Sequence, residues 1–296
     1  VRWLFHVYDG PELGSHHYAA ASLAQEGFIH ASFKEAVADS ARLYFPSTDS
    51  LRVLQIDPRR LDVPVAFADT PRGPMPHIHG RVPRDAVRAT LSLEEVVSAP
   101  DAVTGTRFVL VAFEGMTLLD LVAVYDPLSR IASMNIDGTS SCEIVAGHEG
   151  RIWSMDGADV VPRRVRPDLA NFDVLVLPGG LGTRTLVNDG SFVAWLKTFP
   201  ENRLHASVCT GALLLGATGR LDGKRATTHA SAIRELARYG ATATAERVVD
   251  EGPIVTAGGV TSGLDLGLHL VRRLYGDDAT TRIARQMEWT PPPLAR

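Results

Sequence analysis

The sequence predicts an α/β protein, a parallel sheet sandwiched between helices, preceded by a small α+β domain. Three observations lead there. From Thr106 onward, short continuous apolar runs alternate with helical patterns, the rhythm of strands covered on both faces. Before about residue 100 that rhythm is missing, and a composition rich in His, Pro and Arg is broken by repeated turn signals. At 296 residues the chain is also long for a single domain. The expected division is 1–98 and 105–296, with the aperiodic stretch from Ser98 to Gly105 as linker.

In the first domain, Trp3–Tyr8, Phe28–Ser32, Leu51–Ile56 and Val63–Phe67 are strand candidates. Lys34–Tyr44 places Ala36/Val37, Ala41 and Leu43/Tyr44 near helical period. Turns are expected at Asp57-Pro58, Arg72-Gly73-Pro74 and Met75-Pro76. Histidines recur in three segments: at His6, in Glu26-Gly27-Phe28-Ile29-His30-Ala31-Ser32 and in Pro76-His77-Ile78-His79-Gly80. One reading is a metal site, because His77 and His79 alternate onto one strand face. Another is a phosphate or nucleotide pocket. The plainer reading, structural and surface histidines, outweighs both, and no bound metal is expected.

The second domain starts with the buried strand Phe108–Phe113 and the helix Thr117–Leu128. Phe172–Leu177 follows as a strand ending in Pro178-Gly179-Gly180, then helix Ser191–Thr198 and strand Leu204–Val208. Beyond lie strand Arg225–Thr228, helix Ser231–Tyr239, strands Glu246–Val249 and Ile254–Ala257, and helices Ser262–Tyr275 and Ala279–Met287. Ligands of such sheets bind at the carboxyl ends of the strands. Gly179, Gly180, Cys209 and the segment after Phe113 all fall there.

The most informative motif is Val208-Cys209-Thr210-Gly211-Ala212, where a strand runs directly into an apolar helix. A nucleophile on such a turn is pushed into the cleft, and the helix N-terminus behind it favours a thiolate. Cys209 is therefore expected to ionise more readily than an ordinary thiol; the alternative is one more small buried residue. Asp120, embedded in Leu118-Leu119-Asp120-Leu121-Val122, has the surroundings of a carboxyl with a raised pKa, suited to acid/base work, or else is an exposed helix charge. Gly179 and Gly180 are candidates to present backbone N–H groups to substrate, with a plain glycine turn as the alternative. Thr210 offers an N–H and a hydroxyl, or a simple helix cap. His229, following a strand, is a further candidate to approach the cysteine. No GxGxxG or P-loop pattern occurs.

Bulk properties narrow the partners. With 45% hydrophobic and 22% charged residues and a net charge of -4, the composition is that of a soluble globular protein. Neither nucleic acid nor a membrane surface is expected as partner. Only Cys142 and Cys209 are present, far apart, so no disulfide framework is expected and a cytoplasmic location fits. Val1–Tyr8 is too short and polar for a signal peptide.

The stretch from about Thr106 to Pro291 resembles the ThiJ/PfpI superfamily and, among its branches, the isonitrile hydratases. The resemblance rests on Leu119-Asp120-Leu121, Leu177-Pro178-Gly179-Gly180, Val208-Cys209-Thr210-Gly211-Ala212-Leu213, the run Leu221 to His229, Glu246-Arg247-Val248-Val249 and the run Thr256 to Gly263. It implies a flavodoxin-like, class I glutamine amidotransferase-like fold and a homodimer. It also implies a cofactor-independent, cysteine-dependent hydro-lyase with Cys209, Asp120 and Thr210 as functional residues; Gly179, Gly180 and His229 are expected at the substrate from their own positions at strand ends. Two departures stand out. Protease-like members carry a histidine after the cysteine where this chain has Thr210, which disfavours peptidase activity. The hydratases follow the aspartate with a Thr-Gly-Pro turn, whereas this chain reads Val122-Ala123-Val124-Tyr125-Asp126. Glyoxalase- or deglycase-type action on 2-oxoaldehydes and a non-catalytic cysteine sensor are the alternatives. Trp3–Leu93 resembles a small bacterial domain family of unknown function that has been likened to ADP-ribosyltransferases.

Overall fold

The computed structural model describes residues 2–10, 13, 17–47, 50–71, 73–99 and 105–290. It separates into two compact units, Val1–Thr104 and Gly105–Arg296. The expected linker and the turn at Arg72 fall partly outside the described residues.

In the first unit, β1 (Leu4–Tyr8), β3 (Arg52–Ile56) and β6 (Val87–Leu91) form one antiparallel sheet. A second is built by β2 (Ile29–His30), β4 (Val65–Thr70) and β5 (Gly73–Ile78), with β5 in the middle. Helices α1 (Ala21–Glu26), α2 (Val37–Tyr44) and α3 (Leu93–Ser98) complete it. Strand β1 shows how the core is divided: Leu4 and Tyr8 enter one apolar cluster while Trp3, Phe5 and Val7 enter another, the two-residue period of a strand buried on both faces. The expected helix over Lys34–Tyr44 begins as a 3-10 turn, Lys34–Ala36. The turns expected around Pro74 and Pro76 are instead strand. Being two residues apart, both ring nitrogens point to the same edge, away from β4, so the hairpin from Thr70↔Gly73 to Val65↔Ile78 keeps its bonds.

Among its described residues the second unit builds a seven-stranded sheet. Its strands are β7 (Arg107–Ala112), β8 (Ser141–Ala146), β9 (Arg164–Val165), β10 (Val174–Leu177), β11 (Leu204–Val208), β12 (Val248–Asp250) and β13 (Ile254–Ala257). The order is β9-β8-β7-β10-β11-β13-β12, parallel throughout except that β12 runs against β13. Strands β10, β11 and β13 are buried at every residue and β7 at all but its first, as expected of mainly apolar runs, with His205, Ser207 and Thr256 as buried polar exceptions. Helices α4 (Leu118–Ser133), α5 (Gly190–Lys197), α6 (Gly211–Ala217) and α7 (Ser262–Gln286) are the long ones. Strand β8 is an addition to the sequence reading. Arg225–Thr228 shrinks to a two-residue pairing outside the main sheet, and Ser231–Tyr239 splits into short helical turns. The two expected C-terminal helices are one element kinked at Gly276, whose φ of 82° only glycine adopts cheaply. No helix among the described residues is long and apolar enough to cross a membrane.

Helix α4 runs five residues past the expected Leu128, through Pro127. The missing N–H costs one helical bond. Burial of the proline ring against α7 offsets it, and an Arg130–Asp126 ion pair at 2.8 Å supports the following turn. The crossing needs Gly267: a Cβ there would come within 2.3 Å of Pro127 Cγ, and one on Gly263 within 2.9 Å of Ala123 Cβ. This contact seats the start of α4, which carries Asp120. Gly267→Ala should therefore destabilise the protein by about 1–3 kcal/mol. Thermal unfolding checks it, and an unshifted midpoint would mean that the helices can part without cost.

Candidate active site

Cys209 follows β11 and precedes α6 with φ at +55°, in the left-handed region a side chain rarely adopts. Such strain persists only where the surroundings over-determine it. Here the Cys209 N–H donates to both the Ala257 and Gly258 carbonyls, at 3.0 and 2.8 Å, and the Thr228 hydroxyl donates to the Cys209 carbonyl at 2.8 Å. The expected sharp strand-to-helix turn is present.

Asp120, third residue of α4, is fully buried. Its Oδ2 accepts the Gly179 N–H at 3.0 Å, and its Oδ1 has no hydrogen-bond partner among the described residues. Gly179 is where the site converges. A Cβ added there would lie 2.6 Å from the Thr210 nitrogen, 2.7 Å from Cys209 Cβ and 2.8 Å from Asp120 Oδ2. Only a residue without a side chain lets these three meet. Gly180, with φ at +130°, packs its Cα so tightly that a Cβ would come 2.4 Å from the Gly115 carbonyl oxygen.

The electrostatics reverse one expectation. Burial pushes the Asp120 carboxyl from its ordinary 3.8 up to about 6, with the Gly179 N–H and the Cys209 thiol pulling back. For Cys209 the expected easy ionisation is corrected: burial first, then the neighbouring Asp120 charge, push the thiol up to about 12. The Thr210 N–H and hydroxyl favour the thiolate, as a helix start should, but are outweighed. At neutral pH the pair therefore rests as thiol beside carboxylate, sharing one proton.

The two glycines are not free donors either. The Gly179 N–H is committed to Asp120. The Gly180 N–H donates to Thr210 Oγ1 at 2.9 Å, and the Thr210 hydroxyl donates back to the Gly180 carbonyl at 3.1 Å. In this arrangement they build the site rather than offer N–H groups to a substrate. Thr210 likewise makes no side-chain cap for α6, its hydroxyl being used across the turn. Thr210→Val should strand the buried Gly180 N–H and cost about 1–3 kcal/mol. Thr210→Ser should restore most of it, a difference read from denaturant midpoints.

Among the described residues, no hydrogen bond ties His229 to the pair. Its Nδ1 is bonded to the Ser231 hydroxyl at 2.8 Å and accepts the Ser231 N–H, capping a 3-10 turn, while its ring lies against Gly259. Two contributors were missed in the sequence. Thr228 holds the cysteine carbonyl. Met116, fully buried, bridges Ser154 and Gly180 and docks the loop before α4, where the Thr117 N–H reaches the Gly179 carbonyl at 2.8 Å. Exposed apolar side chains flank these segments: Leu119 beside Asp120, Leu181 beside Gly180, and Trp153 and Met155 tied by backbone bonds to Gly115 and Met116. Among the described residues, no three His, Cys, Asp or Glu side chains are grouped to hold a metal ion.

Comparison with known proteins bears on the family and the fold. The profile of the DJ-1/PfpI family matches residues 106–273, and that of a family described as protein of unknown function (DUF952) matches residues 12–90. An isonitrile hydratase of Pseudomonas putida is 34% identical over 182 residues, 61% of this chain and 77% of the relative. Protein DJ-1 homolog A of Arabidopsis thaliana is 29% identical over 192 residues, and the match spans about half of that relative, 49%. Among solved structures, a THiJ/PfpI family protein from Pseudomonas syringae superposes with a TM-score of 0.57 at 31% identity, covering 66% of this chain and 79% of that one.

Proposed function

Since this chain belongs to the DJ-1/PfpI family, we propose that its Cys209–Asp120 pair hydrates an isonitrile to an N-substituted formamide. The observation that carries the reading is the meeting of Cys209, Asp120 and Thr210 around Gly179, with one carboxylate oxygen left unpartnered. The similarity to the Pseudomonas putida hydratase supports the choice of substrate. The exposed apolar residues flanking the site suit a hydrocarbon substituent on nitrogen.

The proton inventory dictates the order of steps. Asp120, as carboxylate, takes the thiol proton while Sγ bonds to the terminal carbon of R–N≡C. The carboxylic acid so formed delivers that proton to the same carbon, leaving the thioformimidate R–N=CH–S on Cys209. Water adds to this carbon and the nitrogen gains a proton, Asp120 acting as base and then acid. The adduct R–NH–CH(OH)–S loses its hydroxyl proton, the C–S bond breaks, and R–NH–CHO leaves as the sulfur recovers a proton. The sum is one isonitrile plus one water giving one formamide.

The test is purified protein with n-butyl isonitrile beside methylglyoxal. Formamide release without methylglyoxal consumption is expected. Methylglyoxal consumption alone would replace this reading with the aldehyde-directed one.

A further inference from the structure

The first unit holds a cavity of about 700 Å³ that the proposed reaction does not use. That size is typical of small-molecule sites. Its wall is made of rings. Phe28 and His77 stack face to face with centroids 3.9 Å apart and planes within 10°. His30 stands edge-on to both, at 4.8 and 5.2 Å, and Tyr44 lies 6.0 Å beyond it. This aromatic surface, partly exposed, offers a flat face to a flat ligand.

The floor presents acceptors. His6 is 6% exposed, with Nδ1 2.6 Å from the His30 carbonyl and Nε2 2.8 Å from the Tyr18 hydroxyl. A carbonyl only accepts, so Nδ1 carries the proton. Burial holds His6 at about 4, hence neutral, so its Nε2 is bare and must accept from Tyr18. With its proton committed to His6, the Tyr18 oxygen has only lone pairs left to offer a ligand. Glu26, which pairs with His30 at 3.1 Å, adds a carboxylate at the wall, and Asp9 a second. Tyr8, 6% exposed, lines the cavity too, and its hydroxyl has no hydrogen-bond partner among the described residues. No lysine or arginine occurs among the described lining residues. Flat walls, an accepting floor and carboxylates with no lysine or arginine among the described lining residues favour a ligand that is planar and donates N–H bonds, and they work against an anion.

We propose that this cavity binds a small planar aromatic bearing N–H donors, neutral or cationic, such as an amidine or aminated N-heterocycle. The site accounts for the histidine-bearing segments without a metal. Its described lining residues all belong to the first unit, and none takes part in the Cys209 chemistry.

Benzamidine and benzoate share a ring and differ in charge and in donor capacity, which makes them the probes. Titration of the full chain, followed by calorimetry and saturation-transfer NMR, should give one saturable benzamidine site at least tenfold tighter than any benzoate binding. Glu26→Gln, at a half-exposed side chain, and Tyr18→Phe should each weaken benzamidine threefold or more. Asp120→Asn, run in parallel, should leave its affinity unchanged. The proposal is overturned by benzoate binding equally well, by the absence of saturable binding, or by wild-type affinity in both first-unit variants. It fails equally if the loss of affinity appears in Asp120→Asn instead.

Discussion

Cys209→Ser should lower formamide release by about 10⁴-fold or more, because it keeps the shape of the site and removes its nucleophile. A serine hydroxyl is far less acidic than even the buried thiol. A carboxylate held at about 6 is too weak a base to strip it. The serine side chain is close in size to that of cysteine, so the convergence on Gly179 and the Thr228 bond to the residue 209 carbonyl survive. Thermal midpoints of variant and wild type should then agree within a few degrees. Mass spectrometry of the wild-type protein, quenched during turnover, should show a covalent increment of one isonitrile on the peptide containing Cys209, absent from the variant. A serine variant within tenfold of wild type would end the covalent mechanism, leaving at most water activation by Asp120.

The central sheet was legible because strands buried on both faces must be mainly apolar, and β7, β10, β11 and β13 are, with only Arg107 at an end and His205, Ser207 and Thr256 inside them. Strand β8 escaped because it lies towards one side of the sheet, beyond which only the two-residue β9 pairs with it. Its first four residues, Ser141 to Ile144, are half-buried, and partial cover permits the polar Ser-Cys-Glu start that hides the strand. Pro74 and Pro76 misled in a common way. Proline forbids a bond in one direction only, and whether a partner stands in that direction is a matter of tertiary structure. The site divides likewise. Cys209, Thr210 and Asp120 were visible as motif and environment, and they converge. The fate of the Gly179 and Gly180 N–H groups was not visible, since it depends on which acceptors the fold brings across 59 and 30 residues of chain. The helix N-terminus behind Cys209 was readable and does act on the thiol in the expected sense. The larger opposing effects, loss of water and a carboxylate neighbour, exist only once the chain is folded.

Asp120→Asn should separate catalysis from stability, moving them in opposite directions. Without the base, the thiol proton has no acceptor, and formamide release should fall by about 10³–10⁴-fold at pH 7. In the wild type, kcat/KM should rise with pH to a plateau above about 6, falling tenfold per pH unit below it, because only the carboxylate accepts the proton. The variant should lack that acid limb. Stability follows from the same shift with its sign reversed. A carboxyl whose pKa is raised on folding binds its proton more tightly in the native state, so its contribution is fully present below 3.8 and is lost as pH climbs through about 6. Above both values the buried charge costs about 3 kcal/mol. Asparagine keeps an oxygen for the Gly179 N–H and carries no charge, so the variant should unfold at higher denaturant than wild type at pH 8, with the gap closing by pH 4. A variant that is inactive and also less stable at pH 8 would mean that the carboxylate is better solvated than its burial implies, and the proton inventory of the mechanism would have to be redrawn.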